Sequence, residues 1–143
     1  MKNASNKPTT AFWIITVVAL LWNIMGVLAY LGQAFMTEEA LSLLPEADQL
    51  YYNNVPAWVT AAFAIAVFGG TIGCIALFLR KKIALLLFIL SLLGILTQST
   101  YTFFIQDYVE ITGKNIGMPI TIIIFAAFLI WFSMDSQKKE ILT

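Results

Sequence analysis

Four stretches of about 20 apolar residues, each uncharged through its middle, limit what this chain can fold into more than any other feature. They run from about Ala11 to Phe35, Pro56 to Leu79, Ile83 to Ile105 and Ile116 to Met134, the last being the shortest. Hydrocarbon about 30 Å thick takes roughly 20 helical residues to cross. Backbone N–H and C=O groups find no water there, so each segment has to satisfy them internally, as a helix. Length and the lack of alternation exclude a strand reading. The expected fold is all-α: a single integral membrane domain, residues 1–143, built as a bundle of four transmembrane helices.

Composition agrees. Sixty per cent of the residues are hydrophobic and 11% are charged, against roughly 45–50% and about 25% in a soluble domain. A soluble chain of this size has too little polar surface to cover such an excess. The first stretch also has to be weighed against a secretory signal, since Lys2 and Lys7 precede it and Gly32-Gln33-Ala34 is a small-x-small triplet. Its apolar run exceeds the about 7–15 residues of a signal's core. We therefore expect it to span.

Basic residues set the expected orientation. Lys2, Lys7, Arg80, Lys81, Lys82, Lys138 and Lys139 fall on one side, and only Lys114 falls on the other. Cytoplasmic loops carry the Lys/Arg excess, so both termini and the Arg80–Lys82 turn are expected inside. Glu38, Glu39, Glu46, Asp48, Asp107 and Glu110 then face outward. Trp13 and Trp131 fall near the inner interface; Trp58, Tyr51, Tyr52 and Tyr108 fall near the outer one, as an aromatic belt does. In the first outer loop Thr37 can cap a helix beginning at Glu38 and Glu39, and Pro45 can start another at Glu46. One or two short amphipathic helices on the outer membrane surface are expected, as a seal or as a lid. The second outer loop, Asp107 to Asn115, reads as a plain link, and Pro119 lies near the start of the fourth helix.

The second span carries small residues at every fourth position, Ala62, Ala66, Gly70 and Cys74, with Gly69 and Gly73 beside them. Small residues let backbones approach closely, which matters where lipid supplies no hydrophobic drive between helices. These six are the expected packing interface, within the bundle or between protomers, and Cys74 belongs to it as a small residue. An ungapped match of Ala19–Gln33 to Ala84–Gln98, identical at seven of fifteen positions, also raises a parallel duplication of helix pairs.

Polar side chains within spans are costly and are the first candidates for function. Asn23, Gly26, Tyr30 and Gln33 share one face of the first helix; Ser91, Gly94, Gln98 and Tyr101 share one face of the third. If the two faces meet, Asn23, Tyr30, Gln33, Gln98 and Tyr101 line an outward-opening cleft suited to a neutral hydrogen-bonding solute. Interhelical hydrogen bonding is the alternative reading of the same groups.

Other chemistries lack their residues. Histidine is absent and Cys74 is the single cysteine, which removes the commonest general base and metal ligands. No phosphate-binding, dinucleotide, zinc or nucleophilic-triad motif occurs, and no basic stripe suits nucleic acid. No catalytic residue, metal or cofactor is expected.

The strings WNIMGVLAYLGQAFMT, PAWVTAAFAIAVFGGTIGC and LFILSLLG carry a resemblance. From Phe12 to about Asp107 the chain resembles a family of small bacterial four-helix membrane proteins labelled as sugar transporters, and its layout is similar to that of DoxX-like four-helix proteins. The resemblance implies a bundle and transport-type work, and it transfers no binding residues. The function expected is binding or transport of a neutral solute or apolar ligand, in a homo-oligomer because four helices leave little room for a pathway. The alternative is a non-catalytic subunit of a larger membrane complex, docked through the small-residue face of the second span.

Overall fold

Each apolar stretch becomes a helix, and the turn chemistry between them decides where each one stops. The computed structural model describes residues 7–143, and for Lys114 the backbone alone; Lys2, counted above for orientation, lies outside the described residues. Helix α1 is Thr10–Ala34, α2 Glu38–Ser42, α3 Glu46–Asn54, α4 Ala57–Phe78, α5 Ile83–Thr100, continued by one π-helical turn at Tyr101–Ile105, and α6 Gly113–Lys138. Among the described residues there is no strand. Four of these helices are long and apolar enough to cross a membrane: Thr10–Ala34, Ala57–Phe78, Ile83–Ile105 and Asn115–Lys138.

Local chemistry accounts for the ends. Thr9 Oγ1 accepts from Phe12 N at the start of α1, and Thr37 Oγ1 accepts from Ala40 N at the start of α2. Both α4 and α6 end on a residue in the left-handed region, Arg80 (φ 59°) and Glu140 (φ 57°). In each case the next amide reaches back to close the helix, Lys81 N to Ala76 O and Ile141 N to Ser136 O. The fourth helix is not the shortest, as its apolar run suggested, but 26 residues long. Hydropathy ends at Met134, whereas helical hydrogen bonding continues through polar Asp135–Lys138, where Lys138 suits the negative end of the dipole.

Close backbone approach holds the bundle together. The tightest seam joins α4 to α5, followed by α1 to α4 and α5 to α6. At the first seam Ser91 Oγ donates to Ala66 O at 2.6 Å, and Gly94 lies directly against the backbone of Ala62 and Ala66. α1 and α6 meet through rings: Phe12 stacks on Phe132 with centroids 5.6 Å apart, and Trp22 lies 5.2 Å from Phe125. Packing is densest at the Arg80 end, where Phe12, Leu77, Phe88, Leu129, Phe132 and Leu142 are buried together.

The chain also ties this end shut. Thr143 N donates to Arg80 O at 2.8 Å, Arg80 Nε to Ile141 O at 3.0 Å, and Gln137 Nε2 to Lys82 O at 3.2 Å. Ile141 and Leu142 are buried behind these bonds. Residues 141–143 thus form a strap across the α4–α5 turn.

Several hydroxyls within the spans bond their own helix, as Thr16 Oγ1 does to Phe12 O and Thr71 Oγ1 to Val67 O, each at 2.8 Å. Ser133 does not. Its side chain is fully buried and its Oγ has no hydrogen-bond partner among the described residues. A buried unpaired hydroxyl costs about 1–3 kcal/mol, so Ser133→Ala is expected to raise stability by about 1 kcal/mol in detergent unfolding. A loss of stability would show that the hydroxyl is satisfied in the membrane.

Candidate functional site

The four long helices leave a cavity of about 300 Å³ between them, beyond the dense core on the side away from the strap. Every long helix contributes: Trp22, Asn23, Met25, Gly26 and Ala29 from α1; Phe63, Ala66, Val67 and Gly70 from α4; Ser91, Ile95 and Gln98 from α5; Met118, Ile122, Phe125 and Ala126 from α6. No lining side chain carries a charge. The volume sits at the low end of ligand pockets, about 300–1,000 Å³.

Asn23 is the best-defined polar group in this wall. Its Nδ2 donates to Ala19 O at 2.9 Å and to Cys74 Sγ at 3.4 Å. These two acceptors fix which way the amide points. Oδ1 is then turned onto α4, into the space a side chain at Gly70 would fill. No described group donates a conventional hydrogen bond to it. Ser91 is committed to Ala66 O, while the side-chain amide of Gln98 bonds no other described residue. The cavity therefore offers one oriented carbonyl, one uncommitted amide and an otherwise apolar surface.

The five polar residues singled out from sequence do not share a cleft. α1 and α5 pack chiefly on α4 and not on each other, so their polar faces do not meet directly. Asn23 and Gln98 reach the same cavity from opposite walls. Tyr30 packs edge-on against Phe63 and Phe68 of α4, with centroids 5.5 and 5.6 Å apart. Tyr101 is 4% exposed, with its ring against Tyr51 and Trp58. Gln33 lines a second hollow under α2 and α3, with Tyr52, Asn53 and Thr60. Gln33 and Gln98, the most suggestive match in the apparent repeat, thus occupy unlike surroundings. The Tyr52 phenol is pushed up from its ordinary range, by burial first and then by the Asp48 carboxylate and Tyr51, so it remains a neutral donor.

The six small residues of α4 lie on its covered side. Ala62, Ala66, Gly70, Gly73 and Cys74 are all buried, and a Cβ on Gly69 would touch Leu87 and Ser91 of α5 at 3.4–3.5 Å. Both α1 and α5 use this face. Sequence reasoning missed the contribution of α6, because Met118, Ile122, Phe125 and Ala126 look like any lipid-facing residues in a uniformly apolar helix. The one available signal was Ala126, a small residue set between Phe125 and Phe128. Among the described residues, no three His, Cys, Asp or Glu side chains gather as a metal site would require. Compared with known proteins, the chain matches no family model, no curated protein and no solved structure.

Proposed function

We propose that this chain is a binding protein of a bacterial cytoplasmic membrane, with both ends inside, which holds a small, neutral, largely apolar molecule within its bundle. One observation carries the reading: an uncharged cavity of about 300 Å³, apolar except for Asn23, Ser91 and Gln98, sits among four membrane-length helices. A charged ligand would meet no countercharge there and would bear its full desolvation cost. A neutral one gains from apolar burial, at about 25 cal/mol per Å², and one hydroxyl, carbonyl or amide on it has a partner in Gln98. The basic residues at the Arg80 end support the inward orientation, with α2 and α3 lying on the outer surface. Transport of the bound molecule, suggested by the resemblance to sugar-transporter-labelled proteins, rests on the same cavity.

A docking subunit remains the second reading, but the α4 face first assigned to it is covered by α1 and α5. Exposed apolar side chains remain on all four long helices for such a contact, Ile14, Val18, Leu21 and Leu28 of α1 among them.

Saturable binding of 1-aminoanthracene, a flat neutral amine that brightens in apolar surroundings, tests the proposal in phosphatidylcholine nanodiscs. Ala126→Phe places a ring into the empty space and is expected to weaken binding at least tenfold while leaving thermal stability equal or higher. Equal binding by both proteins would remove the cavity as the site.

A further inference from the structure

Two cavity-lining side chains face outward. Met25 of α1 is 65% exposed and Met118 of α6 is 62% exposed, yet both form part of the cavity wall. Ala29, one turn beyond Met25, is exposed and lines it too. A residue can do both only at a mouth.

Depth places that mouth within the apolar layer. Counted from the middle of α1 at 1.5 Å per residue, Met25 lies roughly 5 Å and Ala29 roughly 10 Å toward the Tyr101 end. Met118 lies on the order of 10 Å from the middle of the apolar part of α6, in the same direction. Around Met25 on α1, Leu21, Ile24 and Leu28 are all exposed and apolar, a surface made for lipid.

The seams explain why the opening is here. α4 is sealed to α5 by Gly94 and Ser91, and to α1 by Asn23, Gly26 and Tyr30. α1 and α6 approach each other less closely than either of those pairs, and rings meet across the gap, with Trp22 against Phe125 as the pair nearest the mouth. On its α1 side the small residue Ala29 leaves the gap unfilled. Rings can swing about their side-chain torsions, whereas a backbone seam cannot part without moving a helix.

Resting on the binding function proposed above, we infer that the cavity is loaded sideways from the bilayer, through the gap between α1 and α6 that Met25, Ala29 and Met118 frame. The ligand class follows. It is a neutral molecule that partitions into lipid before it binds, slim enough to pass between two helices, with a polar group that ends at Gln98.

Stopped-flow fluorescence with 1-aminoanthracene in the same nanodiscs separates route from site. Met25→Trp, Ala29→Trp and Met118→Trp narrow the mouth at positions already exposed, so the fold is retained, and a melting curve checks this. At least one of the three, and the Met25→Trp/Met118→Trp pair most strongly, is expected to slow association at least tenfold and to slow dissociation as well, as a narrowed passage does in both directions. Gln33→Trp, in the hollow under α2 and α3, is expected to leave association within twofold. If the wild type shows no saturable binding, or Ala126→Phe does not weaken it, the cavity reading fails and the route with it. If Ala126→Phe abolishes binding but all mouth variants associate at the wild-type rate, the lateral route alone is overturned. Slowing by Gln33→Trp in place of the mouth variants would put the opening on the aqueous side and also overturn it.

Discussion

Gly94→Ala is expected to destabilise the bundle by about 2–3 kcal/mol, the upper range for forcing extra volume into a packed interior. A Cβ at this position would lie 2.6 Å from Ala62 O and 2.9 Å from Ala66 N. Both are backbone atoms of α4, so no side chain can turn aside, and the helices have to separate. Separation stretches the 2.6 Å bond from Ser91 Oγ to Ala66 O and loosens the seam on which the other helices are assembled. Gly32→Ala provides the control, because a Cβ there meets nothing within 4 Å. It is expected to be neutral or to stabilise by up to about 0.5–1 kcal/mol through the helix preference for alanine. Denaturation in mixed detergent micelles measures both. Equal tolerance at the two positions would refute the close approach of α4 and α5.

Gly70→Ala has a different signature, because what it strikes is a side chain. The added methyl would land on Asn23 Oδ1, with Ser91 Oγ 3.3 Å away. Asn23 then has to swing out, losing Ala19 O and Cys74 Sγ as acceptors and leaving polar groups unpaired in an apolar interior. A cost of about 2 kcal/mol is expected. In an Asn23→Ala background the same methyl finds the space vacated, so Gly70→Ala should become nearly neutral. The cycle is expected to show about 1–3 kcal/mol of coupling, the range for residues in direct contact. Additive effects would mean that Asn23 does not occupy the Gly70 niche.

The number of the long helices and the reach of their apolar parts were legible because hydrocarbon imposes one length and one way of satisfying the backbone, whereas the polar turn that extends α6 through Asp135–Lys138 was not. The row Ala62, Ala66, Gly70 and Cys74 was legible too, since small residues at helical spacing matter most where backbones touch. Which helices touch was not legible. Uniformly apolar helices have no polar face to mark their neighbours, so α1 and α5 looked like partners on the strength of Asn23, Tyr30, Gln33, Gln98 and Tyr101. In the structure α4 takes both as neighbours, and only Asn23 and Gln98 reach one space. Tyr30 and Tyr101 were read by their hydroxyls, whereas their rings decide where they go. The apolar wall contributed by α6 was invisible for a related reason: a cavity lined by hydrocarbon side chains has the same sequence signature as a surface bathed in lipid.

The strap of residues 141–143 has a mechanical consequence. It fixes α6 to the α4–α5 turn at one extremity, beside the stacked Phe12 and Phe132. With that extremity held, the displacement produced by any tilt of α6 about it grows with distance along the lever. Ile122 lies about 22 Å of helix from Gln137, so a tilt of about 10° moves it roughly 4 Å, more than the thickness of an aromatic ring. At the pivot itself the same rotation displaces the hydrogen-bonded atoms far less, so the two ends of α6 are unequally constrained.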